Sequence, residues 1–243
     1  MSPRRSIADF RIAASILSCD VARLGEEIRG VIAAGADWIH FDVMDNHYVP
    51  NLSFGPLVFS AVKEHAIRPD GSAVPIDVHL MVRPVEALAL TFADLGARRI
   101  SFHVDAAPDV ARLLRTLRAN GVLAGLVFSP TDALSALARL IDEVDLVLVM
   151  GVDPGQAGQR FMDAALPRLA QARKTIDASG RYVRLEVDGG IKVENIRRAA
   201  DAGADTFVAG SAIFGSLNYS RTIQAMRANL PGPAPLAGSA DLA

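Results

Sequence analysis

Apolar residues along the chain fall into two alternating rhythms. Short β-branched or apolar runs at 12–17, 38–44, 76–81, 99–103, 123–128, 146–150, 182–187 and 206–209, each bounded by Gly, Pro, Asn or Asp, have the period of strands. Between them lie stretches with helical spacing, at 21–33, 85–92, 110–119, 164–178 and 194–200, which predict amphipathic helices. Such alternation predicts parallel βα units. Eight units of about 30 residues are the size of one closed (β/α)8 TIM barrel. It is expected over residues 1–230, with the Pro-, Ala- and Gly-rich 231–243 as a flexible tail. A weak repeat supports the reading: Ala34-Gly35-Ala36-Asp37, Leu95-Gly96-Ala97-Arg98 and Ala202-Gly203-Ala204-Asp205 each sit between a helix and the next strand. Glycine is the residue expected there, just past a helix end where φ is positive. An open doubly wound sheet is the rival, but no G-x-G-x-x-G follows the first strand.

Side chains alternate faces along a strand, so parity sorts each strand into a barrel side and a helix side. Phe41 and Val43 oppose His40, Asp42 and Met44; Ile76, Val78 and Leu80 oppose Asp77, His79 and Met81; Val183, Leu185 and Val187 oppose Arg184, Glu186 and Asp188. The apolar sets suit a surrounding helix layer, which turns the polar sets toward the barrel axis. Their His and Asp members gather near the strands' C-terminal ends, where barrel enzymes carry their chemistry. Burying several unpartnered ionisable groups costs several kcal/mol each, roughly, and one shared cation removes that cost. His40, Asp42, His79 and Asp188 are therefore the candidate ligands of one divalent ion. Imidazole with carboxylate suits Zn²⁺, Fe²⁺, Mn²⁺ or Co²⁺ better than Ca²⁺ or Mg²⁺. His103 reads as a hydrogen-bonded core residue, because Asp105 lies in a loop and neither joins the set by spacing. His47, in a loop, and His65, on a helix, read as solvated.

Charge and cysteine content narrow the partners. With 25 Lys plus Arg against 27 Asp plus Glu and no basic cluster beyond Arg4 and Arg5, nucleic acid is not an expected partner. The single cysteine, Cys19, excludes an intrachain disulfide and any four-cysteine metal site. Neither an export signal nor an apolar run of about 18 residues is visible, so a cytoplasmic protein without membrane contact is expected.

Glycine-bearing turns follow the last three strands: Gly151 to Gln159 with Gly155 and Gly158, then Gly189-Gly190, then Gly210-Ser211. Glycine brings backbone N–H groups close to an anion, and barrels often hold phosphate in the loops after strands seven and eight. One such loop is an ordinary tight turn; three on one rim point to a phosphate cradle.

The residues Ser15-Ile16-Leu17-Ser18, His40-Phe41-Asp42-Val43-Met44-Asp45-Asn46-His47-Tyr48-Val49-Pro50-Asn51, Asp77-Val78-His79-Leu80-Met81, Glu186-Val187-Asp188-Gly189-Gly190 and Val208-Ala209-Gly210-Ser211-Ala212 closely resemble the ribulose-phosphate 3-epimerase family, in the same order and over about 12–228. The resemblance implies an isomerase of carbohydrate metabolism that interconverts D-ribulose 5-phosphate and D-xylulose 5-phosphate, a step of the pentose phosphate pathway, with one divalent metal. It makes His40, Asp42, His79 and Asp188 the metal ligands, and Asp42 and Asp188 also the catalytic proton-transfer pair. It assigns Ser15, His79, Met44, Met81 and Met150 to the substrate, with Gly155, Gln156, Ala157, Gly158, Gly189, Gly190, Gly210 and Ser211 around it and its phosphate. A homo-oligomer is implied as well. Epimerisation beside a carbonyl takes a proton from one face and returns one to the other through an enediolate, which needs two opposed acid/base groups and stabilisation of the new charge.

The chain departs from the family pattern in places. Gln156 stands where an aromatic residue is usual and Ala157 where a glycine is, so a positive φ at Ala157 would be strained. Ala14 for proline and Cys19 for alanine look like packing changes, and 68–73 resembles a lengthened surface loop. The altered loop leaves open a 3-epimerase of a six-carbon ketose phosphate such as D-allulose 6-phosphate. The glycine loops alone would also suit a non-catalytic phosphosugar-binding barrel. A related decarboxylase or aldolase would need a lysine inward on strands two or three, and none is there.

Overall fold

The computed structural model describes residues 10–231. The expected tail lies outside the described residues except for Pro231. The strands are β1 (Arg11–Ser15), β2 (Trp38–Met44), β3 (Ile76–Met81), β4 (Arg99–His103), β5 (Leu123–Phe128), β6 (Leu146–Met150), β7 (Arg184–Asp188) and β8 (Thr206–Ala209). Each pairs in parallel with its neighbours in chain order, and β1 also pairs with β8, closing the barrel. The helices are α1 (Leu24–Ala33), α2 (Pro56–Lys63), α3 (Glu86–Asp94), α4 (Val110–Ala119), α5 (Ser135–Leu140), α6 (Ala165–Ser179), α7 (Ile196–Asp201), α8 (Ser211–Phe214) and α9 (Tyr219–Asn229). Among the described residues no helix is long and apolar enough to cross a membrane.

The alternation in the sequence explains the layers. In α4, Leu113, Leu114 and Leu117 are buried while Arg112, Arg115 and Arg118 share the other face. The Asp109 side chain starts that helix by accepting from the Arg112 N–H at 3.0 Å. Helix-facing strand residues such as Phe41, Val78, Phe102 and Leu185 are fully buried in the core between barrel and helices. There Phe41, Phe59 and Phe92 meet edge to face, with centroids 5.3–6.0 Å apart. The three repeat glycines adopt the expected positive φ, at Gly35 (103°), Gly96 (89°) and Gly203 (110°).

Two strand boundaries differ from the sequence reading. β1 ends at Ser15, because Ile16–Ser18 forms a 3₁₀ turn closed by the Cys19 N–H on the Ile16 carbonyl. β7 runs from Arg184 to Asp188, leaving Tyr182 exposed and Asp188 at its mouth. Four helices, α2, α5, α8 and α9, complete the set beyond those the periodicity singled out. His65 lies in the turn after α2 rather than on a helix; its Nδ1 is 2.7 Å from Arg29, and its ring packs against Gly25 of α1. His47 is exposed in the loop after β2, as expected. The 68–73 segment is an exposed turn, clipped by the Arg68 N–H on the Ser72 carbonyl.

Candidate active site

At the C-terminal mouth of the barrel, four side chains from three strands converge. Asp42 Oδ1 lies 3.3 Å from His40 Nε2 and 3.2 Å from His79 Nδ1, while Asp188 Oδ2 lies 3.8 and 3.9 Å from the same two nitrogens. The four donor atoms all fall within 4.8 Å of one another. Those separations are close to the ~3.3 Å edges of a tetrahedron whose ligands stand about 2.0 Å from its centre. His40 Nε2 is buried without a hydrogen-bond partner, and it points into this cluster. The residues therefore fit a divalent ion, with His40 and His79 offering opposite ring nitrogens.

The cluster sits above a second buried polar layer. His40 Nδ1 is 2.9 Å from Asp77 Oδ2, a carboxylate behind a histidine that fixes its ring and leaves Nε2 to face the cluster. Glu186 lies beyond, with neither carboxyl oxygen in a hydrogen bond and Oε1 3.8 Å from His40 Nδ1. Further down, the Arg99 guanidinium stacks 3.8 Å over the Trp38 ring. Charges here are strongly perturbed. Burial alone raises Asp42, but the charge and hydrogen bonds of His40 and His79 hold it well below the usual carboxylate range. Burial and the Asp42 charge push Asp188 up to about 6. Burial and Asp77 carry Glu186 well above the carboxylate range. His40 is raised, since Asp42 and Asp77 outweigh the burial that lowers it.

Above the cluster a cleft opens at the barrel mouth. Ser15, Asp42, Met44, Met81, Met150, Gly155, Gln156, Ala157, Gly158, Asp188, Gly189, Gly190, Gly210 and Ser211 all line it. Every predicted substrate residue is thus brought together except His79, which is fully buried beneath the floor. Ser15 Oγ donates to Asp42 Oδ2 at 2.7 Å, which aims the carboxylate. The glycines at 189 and 190 are demanded by packing: a Cβ would stand 2.5 Å from Val152 Cγ2 and 2.3 Å from Phe161 N respectively. What points to an anion is that all three loops border one cleft. Ala157 does not adopt a positive φ, so it replaces glycine without the strain expected; Asn46 (φ 60°) is the one non-glycine residue among those described that does. Asn51 Nδ2 donates to the Gly155 carbonyl at 2.9 Å and ties the loop after β2 to the loop after β6.

Sequence reasoning left out Leu17, Ser18, Val152 and Ile191 from the cleft wall, and His103 from the floor. His103 is a hydrogen-bonded core residue as read, but its partner is His79, at 3.0 Å, rather than Asp105, which pairs with Arg83 and Tyr48. Burial, with the His79 charge, keeps it well below the ordinary histidine range and therefore neutral. Parity in β4, where Arg99, Ser101 and His103 share the barrel side, is the signal that finds it.

Two carboxyl groups shifted in opposite directions, two histidines and a glycine-rimmed cleft define the class: an enzyme on a (β/α)8 barrel, with a cluster able to hold a metal ion at its catalytic mouth. The model of the Ribulose-phosphate 3 epimerase family matches residues 11–214, and the chain belongs to that family. Ribulose-phosphate 3-epimerase of Serratia marcescens is 53% identical over 212 residues, covering 87% of this chain and 99% of the relative. That of Escherichia coli (strain K12) is 51% identical over 221 residues, covering 91% and 96%. A crystal structure of 3-hexulose-6-phosphate synthase superposes with a TM-score of 0.64 at 20% identity, over 91% of this chain and 100% of that one, a likeness of fold.

Proposed function

We propose that Asp42 and Asp188 are the two acid/base groups with which this epimerase interconverts D-ribulose 5-phosphate and D-xylulose 5-phosphate, moving a proton at C3. The observation that carries the assignment is their placement: the two carboxyl groups come from β2 and β7 to one cleft floor, Asp42 ionised and Asp188, raised to about 6, suited to give a proton back. The reverse reaction exchanges their roles.

His40, Asp42, His79 and Asp188 would hold one divalent ion, and their donor set suits Zn²⁺, Fe²⁺, Mn²⁺ or Co²⁺. When bound, that ion supplies Lewis-acid stabilisation of the negative charge that builds on two neighbouring substrate oxygens. Asp77 fixes the His40 ring from behind, and Ser15 aims Asp42. Met44, Met81 and Met150, buried and polarisable, form the apolar floor that keeps water from the reacting carbon. Gly155 to Gly158, Gly189, Gly190, Gly210 and Ser211 would receive the phosphate. A cytoplasmic homo-oligomer belongs to the same reading.

The test is exchange of the C3 hydrogen in deuterium oxide, followed by NMR, with turnover compared on five- and six-carbon ketose phosphates. Asp42→Asn and Asp188→Asn are each expected to fold and to lose about 10²–10⁴-fold in rate. A variant of either residue that still exchanges C3 at the parent rate rejects the assignment. Binding without exchange in the unaltered protein leaves a phosphosugar holder.

A further inference from the structure

The two imidazoles of the cluster are held from behind by different chemistry. His40 backs onto a carboxylate, Asp77. His79 backs onto a second imidazole: its Nε2 lies 3.0 Å from His103 Nε2. The ring centroids are 5.1 Å apart and the planes 29° from parallel, so the rings meet nitrogen to nitrogen at their edges. Such a contact holds one hydrogen, donated by one ring and accepted by the other. On its far side His103 Nδ1 lies 3.0 Å from Ser129 Oγ. Ser129 is itself fixed, its N–H donating to Asp132 Oδ2 at 2.7 Å and its carbonyl accepting from Arg168 Nη2 at 2.9 Å. The Tyr48 ring packs over His103, with centroids 4.9 Å apart, and both His79 and His103 are fully buried.

This chain of three side chains has two polarities. With a proton on His103 Nε2, His79 must accept there and carry its own proton on Nδ1, the atom that faces Asp42 and Asp188. With the proton on His103 Nδ1, donated to the Ser129 hydroxyl, His79 donates from Nε2 and its Nδ1 lone pair is free. We propose that His103, backed by Ser129, is a positioning residue that holds His79 in this second tautomer and so keeps Nδ1 open to a divalent cation. An imidazole does this without adding charge to a cluster that already contains two carboxylates, whereas a carboxylate in its place would. The inference rests on the reading of His79 as a metal ligand.

The test uses Zn²⁺ alone, with affinity measured by competition against a chromophoric chelator. His103→Leu is expected to weaken binding by about 10- to 100-fold. His103→Gln, whose amide accepts at one atom and donates at another, should restore most of it, and Ser129→Ala should show a smaller loss. In the Zn²⁺-loaded parent, nitrogen-15 NMR should find His103 neutral, with its proton on Nδ1. Unchanged Zn²⁺ affinity in His103→Leu and Ser129→Ala, or a proton on His103 Nε2 in the loaded protein, overturns the proposal. If His103→Leu does not fold, Ser129→Ala and the parent spectrum decide. His79→Leu separates the two readings: if it binds Zn²⁺ as the parent does, the metal assignment itself fails, and if it alone loses Zn²⁺ while the His103 and Ser129 variants do not, only the positioning role fails.

Discussion

Asp42 and Asp188 are the same side chain in two electrostatic settings, and the difference has a consequence for metal binding. Asp42 stands between two histidines and accepts from Ser15, so it is already ionised. Asp188 feels burial and the Asp42 charge and takes up a proton near pH 6, and His40, between Asp42 and Asp77, keeps its own proton above the usual histidine range. A cation needs both carboxylates ionised and His40 Nε2 bare, so it has to displace these protons. Calorimetric titration with Zn²⁺ in two buffers of different ionisation enthalpy should show more protons released per ion at pH 5.5 than at pH 8, where Asp188 is already ionised. Release that does not fall with pH would contradict the setting described for Asp188.

The strands are tied at their N-terminal ends by aspartates that precede even-numbered strands. Asp37, before β2, accepts the Ile12 N–H of β1 at 2.7 Å; Asp145, before β6, accepts the Ala124 N–H of β5 at 3.0 Å; Asp205, before β8, accepts the Leu185 N–H of β7 at 3.3 Å. Each also meets an arginine from a helix, Arg227 at 2.6 Å, Arg118 at 3.4 Å and Arg173 at 2.9 Å. Asp145→Ala leaves the Ala124 N–H without its acceptor and should cost about 1–3 kcal/mol. Thermal unfolding should move down by roughly 2–4 °C per kcal/mol with Zn²⁺ affinity unchanged, because the site is at the other end of the barrel. This end of the molecule also shows what periodicity can carry. Six strands keep their sequence-derived limits, since a buried parallel strand is an apolar run cut by turn residues; β1 stops early because Ile16 remains apolar and buried after the backbone has turned. The short or polar helices α5, α8 and α9 bury too few residues to stand out. In the site, period two gathered His40, Asp42, His79 and Asp188, because parity is local to each strand. The contacts of His103 with His79 and of Asp77 with His40 depend on how neighbouring strands are offset as the barrel closes, which no single strand encodes.

At the scale of the whole molecule, the cluster joins β2 and β3 to β7, elements far apart in the chain, so its protonation bears on the stability of the closed barrel. For Asp188 the folded value of about 6 exceeds the ordinary 3.8, so its contribution is fully present below about pH 3.8 and is lost as pH rises through 6. His40 acts in the same direction: raised above 6.5 in the fold, it contributes below that value and its contribution is lost as the pH climbs past its folded one. Asp42, lowered, contributes above 3.8 and loses that only on strong acidification. Between pH 5.5 and 8 Asp188 and His40 therefore lose stabilisation in the metal-free protein, while His103, held well below the ordinary histidine range, gains it as the pH rises through 6.5. A bound cation reverses the balance, because it takes the place of the displaced protons and binds the folded chain alone, adding about 2.7 kcal/mol when free Zn²⁺ stands at 100 times its dissociation constant. Thermal unfolding in EDTA should accordingly show a parent-minus-Asp188→Asn difference in midpoint that falls from pH 5.5 to 8, and Zn²⁺ should raise the parent's midpoint by an increment that widens over the same range. Asp188→Asn removes that titrating group and leaves His40, Glu186 and His103 in place, so the difference from the parent isolates Asp188 from the other ionisable groups. A metal-free difference between the parent and Asp188→Asn that does not fall as pH rises, or a Zn²⁺ increment that shrinks, would mean that closure of the barrel is not coupled to this cluster.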